Sequence, residues 1–222
     1  MAQEKQMSDS LAVGLLLAFA GGMLDAYSFV TRGAVFATAE TGNLVQLAVW
    51  LSLGELARAG RYLLPVLAFA LGVLAAEVIR RRMDSRRARF HWRQAILLGE
   101  CAVLVGVALL PAGPLDALAN ILISFTSAIQ LESFRKFRGC AGSTTMCTGN
   151  LRSGTEQLYR FLALPDPQAW GKSSVYYRLI LAFLAGAVVC GRLTLWWGTR
   201  TALCACLPLL AVFVLLFRPV RS

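Results

Sequence analysis

"MCTGNLRSG", Met146 to Gly154, contains Thr148-Gly149-Asn150-Leu151, and the same tetrad stands once earlier, at Thr41-Gly42-Asn43-Leu44. The residues that follow the second copy decide the fold. Arg152, Glu156 and Arg160 recur at i, i+4 and i+8, which places all three on one face of a helix. A charge in mid-membrane costs a few kcal/mol, so this stripe belongs to a solvated or interfacial face. Its counterpart after the first copy, Asn43 to Gly54, is apolar but only about 18 Å long at about 1.5 Å per residue. That length suits a re-entrant half-helix or a short helix packed inside the protein.

The rest of the chain reads as membrane protein. Of its 222 residues 57% are hydrophobic and 15% charged, against about a quarter charged in soluble domains, and the mean hydropathy is +0.62. Apolar runs at 11–24, 62–79, 95–111, 117–131, 179–197 and 201–217 reach or approach the roughly 20 residues that cross a hydrocarbon core. The leader MAQEKQMSDS sets Glu4 and Asp9 against Lys5, without the positive region of a signal peptide, so the first run is expected to be a retained helix. A net charge of +10 would point to nucleic acid in a soluble protein, but here the basic residues bracket apolar segments, and topology accounts for them. No nucleic-acid partner is expected. The six cysteines (Cys101, Cys140, Cys147, Cys190, Cys204, Cys206) lack paired CxxC spacing, and the one histidine, His91, lies in a basic loop. They read as small packing residues, with no metal site and no cofactor.

The tetrads belong to a longer repeat. Leu67 to Gly72 (LAFALG) matches Leu181 to Gly186 (LAFLAG) at an offset of 114, and Ser28-Phe29 matches Ser133-Phe134 at 105, which sets Asp25 opposite Gln130. Each half reads as an apolar helix, a polar turn, TGNL, a short helix, a loop and two apolar helices. Such duplications are characteristic of transporters. The expected organisation is one transmembrane domain over 1–222, with repeat 1 at about 8–111 and repeat 2 at about 115–218.

Whether the copies are inverted depends on the number of crossings. With the arginine-rich loop 80–93 taken as cytoplasmic, six crossings put 17 of the 22 Lys and Arg inside and 5 outside. Eight crossings leave Arg152 and Arg160 within a span. The fold expected is therefore all-α, with six transmembrane helices in two inverted three-helix repeats, each carrying an extra short helix after a TGNL turn, and with cytoplasmic N- and C-termini. Eight crossings in two parallel four-helix repeats are the alternative.

Gly42 and Gly149 would let the chain turn sharply, and Thr41 and Thr148, or Asn43 and Asn150, would cap the next helix so that its positive end faces the turn. In an inverted repeat that places two half-helix ends about a pseudo-twofold axis, an arrangement used for substrate and ion sites. Asp25, after Gly21-Gly22 at the end of an apolar run, needs a partner, water or a proton. Gln130 and Glu132 hold the matching place in the second half, where Glu132 can instead pair with Arg135 at i, i+3. The candidate substrate site is thus Asp25, Thr41, Gly42, Asn43, Gln130, Glu132, Thr148, Gly149 and Asn150. Simple helix capping and a local salt bridge are the plainer readings of the same residues. Glu77 and Arg192 lie near helix ends and can snorkel, whereas Glu100, six residues into its run, is harder to explain without function. Gly72 and Gly186 fit close helix packing.

"GGMLDAYSF" (Gly21 to Phe29), "FATAETGNLV" (Phe36 to Val45), "QLESFRKF" (Gln130 to Phe137) and "STTMCTGNLRS" (Ser143 to Ser153) together resemble the YoaK-like family of bacterial multi-pass membrane proteins, a domain of unknown function. The resemblance covers nearly the whole chain and implies a bacterial inner-membrane protein of about six helices, without a substrate. Glu132 departs from it, standing where an uncharged residue is expected.

Two function classes follow. One is a transporter or channel for a small solute or ion with its site between the repeats. The other is a non-transporting scaffold whose basic surface binds a soluble partner or anionic lipid. With no H-E-x-x-H, no G-x-S-x-G and no CxxC pair, an enzyme is not expected. The expected partners are the bilayer and the unidentified solute, and a homo-oligomer is compatible with both classes.

Overall fold

A computed structural model describes residues 7–84, 91–140, 142–164 and 166–217. Most of the arginine-rich loop (85–90) and the C-terminal 218–222 lie outside the described residues. Eight α-helices occur among those described: α1 (Leu11–Thr31), α2 (Glu40–Ser52), α3 (Leu56–Asp84), α4 (His91–Leu109), α5 (Asp116–Ser133), α6 (Cys147–Ala163), α7 (Pro167–Trp197) and α8 (Ala202–Leu215). Local chemistry sets several ends. Ser10 accepts from the Val13 N–H to start α1, while Asp166 accepts from the Gln168 N–H to start α7, with Pro167 in its first turn. Gly198, at φ 52°, ends α7, and one 3-10 turn (Gly198–Thr201) leads into α8.

Four stretches are long and apolar enough to cross a membrane: Leu11–Thr31, Leu56–Arg82, Trp92–Leu109 and Pro167–Leu215. The last holds both α7 and α8. Of the six crossings expected, α5 is missing from this set, since Asn120, Gln130 and Glu132 interrupt its 18 residues. The protein is an all-α chain of membrane character. Leu67, Leu71 and Leu74 of α3 and Leu181, Leu184 and Val188 of α7 are exposed on the outside of the bundle, as lipid-facing side chains would be, while α1 is the innermost helix.

The packing follows a regular scheme. α1 lies along α7 and α3 along α5, α2 packs on α3 and α6 on α7, and α4 sits between α5 and α8. At the two long crossings the backbones nearly touch. A Cβ at Gly186 would stand 2.0 Å from the Phe19 carbonyl oxygen, and one at Gly72 would stand 2.4 Å from that of Phe125.

α1 and α5 run antiparallel. At one end Arg32, fully buried, pairs with Asp116 at 3.2 Å and also donates to the carbonyls of Val107, Leu110 and Pro111 at the end of α4. At the other end the Arg138 N–H donates to the Asp9 carbonyl, and the Phe137 ring fills the space beside Gly14. The loops after α1 and α5 then double back toward the middle of the bundle. Thr38 reaches Asp25, and the Thr145 methyl lies beside Gly21, so α2 and α6 both begin halfway along α1.

Candidate functional site

The TGNL tetrads are not turns. α2 begins at Glu40 and α6 at Cys147, so each tetrad lies inside the first helical turns, and Ala39 and Met146 hold the cap positions without a side-chain cap bond. The capping roles expected of Thr41, Thr148, Asn43 and Asn150 are therefore corrected, as is the sharp turn expected at Gly42 and Gly149, neither of which has a positive φ. Once helix precedes the tetrad, its asparagine is free to reach backward. The Phe36 N–H donates to Asn43 Oδ1 at 3.0 Å, and Asn43 Nδ2 donates to the Phe36 carbonyl at 2.6 Å. In the second copy the Ser143 N–H donates to Asn150 Oδ1 at 3.2 Å, and Asn150 Nδ2 donates to the Ser143 carbonyl at 2.6 Å. Each asparagine thus satisfies both polar groups of a loop residue seven positions back.

These two locks hold the loops so that both helix starts face one cavity of about 580 Å³. That is the size range of sites for small molecules. α1 contributes Asp25, Ala26 and Phe29, α2 contributes Glu40 and Thr41, and α6 contributes Cys147, Thr148 and Gly149. Phe69 of α3, Phe183 of α7 and the loop residues Phe36, Thr38 and Thr145 complete most of the wall. Asp25 is 5% exposed, and its carboxylate accepts from the Thr38 N–H at 2.7 Å and from Thr38 Oγ1 at 2.8 Å, which fixes its direction. Glu40 accepts from Asn43 Nδ2 at 2.8 Å through Oε2, while its buried Oε1 has no partner.

The chain matches the family model described as "Protein of unknown function (DUF1275)" over residues 13–215. It belongs to that family. The matched span runs from the first turn of α1 to the last residue of α8 and takes in both TGNL tetrads and the cavity wall of this DUF1275 chain. The motifs that resemble the YoaK-like family all lie within it. No curated protein and no solved structure matches the chain.

Of the residues read from the sequence as a site, the fold brings Asp25, Thr41, Thr148 and Gly149 together on the cavity wall. Gly42 stands behind it, where a Cβ would strike the Phe36 ring at 2.7 Å, and Asn43 and Asn150 are the loop locks. Gln130 is buried with its Nε2 unpartnered, off the cavity wall. Glu132 pairs with Arg135, which also pairs with Glu77 at 2.5 Å, beside a small surface pocket shared with Asp9, Trp92 and Arg93. Glu77 pairs with Arg80 as well, at 2.6 Å. Glu100 is fully buried on α4, and neither carboxyl oxygen has a hydrogen-bond partner.

Thr38, Glu40, Thr145 and Cys147 line the cavity without having been singled out in the sequence. Glu40 had a signal, since it directly precedes the tetrad. Thr38 and Thr145 had none, because their place depends on loops doubling back across the bundle.

Proposed function

We propose that the chain is a transporter or channel for a small solute or ion, and that the cavity at the starts of α2 and α6 is its central site. The observation that carries this reading is the convergence of two half-helix starts on one cavity beside a buried carboxylate. Backbone N–H groups in the first turn of a helix have no partner within it, and here two such sets face the same volume.

The reading includes six crossings in two inverted halves of three, with α2 and α6 entering and leaving on the same side, in a bacterial inner membrane. The antiparallel course of α1 and α5 supports inversion, because parallel copies would run these helices the same way. The packing scheme supports it too. Exchanging the halves turns α1 on α7 into α5 on α3, and α2 on α3 into α6 on α7. The end that carries Arg80, Arg93, Arg135 and Lys136 is then cytoplasmic, together with both termini. No enzymatic step belongs to this reading.

Thr41→Cys and Thr148→Cys test it, each in a chain with Cys147→Ala, since the other five cysteines are buried. In right-side-out and inverted vesicles, a membrane-impermeant methanethiosulfonate should modify both positions from at least one side. A scaffold with a dry interior would leave both unmodified from either side, and that outcome rejects the reading.

A further inference from the structure

We propose that the central cavity takes a monovalent organic cation, an amine or quaternary ammonium with an aromatic or apolar body. The proposal rests on the reading of this cavity as a solute site. Charge decides the class. The wall carries two carboxylates, Asp25 and Glu40, and among the described residues no lysine, arginine or histidine. Each helix start brings about half a positive charge. Two starts therefore supply about one unit, which the two carboxylates oppose with no basic side chain beside them, and the cavity favours a cation over an anion.

The carboxylates are prepared for a ligand in different ways. Thr38 holds Asp25 through both oxygens, which leaves further lone pairs on a fixed group. Glu40 is held through Oε2 by Asn43 Nδ2. Thr145, buried at 6% exposure, also lines the cavity. An ammonium N–H or N–CH₃ group fits the lone pairs that Asp25 keeps free on the cavity wall.

The remaining wall specifies the body. Phe29, Phe36, Phe69 and Phe183 surround the cavity, with Phe29 stacked on Phe36 at 5.0 Å between ring centroids. Aromatic faces attract cations within about 6 Å of the ring centre and shelter apolar groups equally well. An inorganic ion would leave this surface unused, and the volume of about 580 Å³ is far larger than one needs.

The test uses Thr148→Cys with Cys147→Ala as reporter and a pair of thiol reagents of similar size, one trimethylammonium-bearing and one sulfonate-bearing. Leu53→Cys, at an exposed site outside the cavity, supplies the reference ratio of the two rates. At position 148 the cationic reagent should react at least tenfold faster relative to that reference. Asp25→Asn and Glu40→Gln should each reduce the preference, and benzyltrimethylammonium should protect the thiol where benzenesulfonate does not. Equal rates, or protection by the sulfonate, overturn the cation assignment while leaving a solute site in place. Failure of both reagents from both sides overturns the site itself. If Asp25→Asn does not yield a monodisperse protein, Glu40→Gln and the protection assay decide alone.

Discussion

The starts of α2 and α6 share a mechanism and differ in chemistry. In both, an asparagine four residues into the helix closes a pair of hydrogen bonds on a loop residue seven positions back, with nearly the same distances. In the first copy the loop then reaches a carboxylate, through Thr38 to Asp25, and the helix opens on Glu40. In the second copy the loop offers Thr144 and Thr145, whose hydroxyls are unpartnered, and the helix opens on Cys147. The duplicated tetrad is therefore a positioning device used twice, and the charge it positions stands on one side only. The aligned residue opposite Asp25 is the neutral Gln130, which is off the cavity.

The strongest way to break the comparison is at the crossings that both halves share. Gly186→Leu and Gly72→Leu put side chains where even a Cβ would stand 2.0 and 2.4 Å from a backbone carbonyl oxygen. Each should cost more than about 3 kcal/mol and abolish the monodisperse peak in detergent size-exclusion chromatography. Survival of one variant alone would mean that the crossings are not equivalent.

A smaller effect separates the two locks from their surroundings. Asn43→Ala and Asn150→Ala each strip a loop N–H and a loop carbonyl of their partner, for a loss of about 2–4 kcal/mol. Thermal unfolding of the purified variants should show a drop in Tm for both, the larger for Asn43→Ala, which also strips Glu40 of its donor. An unchanged Tm for either one contradicts the shared mechanism.

The smallest effects bear on the difference between the copies. Thr38→Val removes a hydroxyl donor from Asp25 and should cost about 1.5–3 kcal/mol, whereas Thr145→Val removes a hydroxyl without a partner and should change stability by under about 0.5 kcal/mol. Chemical denaturation of the pair reads the contrast directly. Equal losses would show that Thr145 has a partner of its own in the folded protein.

Much of the architecture was legible because it is written locally. Leucine-rich runs and their bracketing arginines mark helices wherever they fall, and the six apolar runs correspond to α1, α3, α4, α5, α7 and α8. The polar face of α6 was visible in Arg152, Glu156 and Arg160, of which Glu156 and Arg160 pair at 3.2 Å. Pairing of Glu132 with Arg135 follows from i, i+3 spacing alone. The tetrad's place inside a helix is not legible from its letters: Gly and Asn are so common in turns and caps that their sequence does not tell a helix start from a helix interior. The burial of Arg32 left no trace, because its partners on α4 and α5 are 75 or more residues away.

The sequence by itself determined the membrane character, the places of the helices and the recurrence of the tetrad, since hydropathy and a repeated tetrad do not depend on what packs against them. Tertiary structure alone decided that the tetrads begin helices instead of turning the chain, and that both beginnings face one cavity. It also brought Thr38 onto Asp25 and left Glu40 and Thr145 with unsatisfied oxygens beside the same space. Those outcomes need loops that fold back along α1, held by hydrogen bonds to buried backbone groups. Such bonds are worth making only where packing has already excluded water.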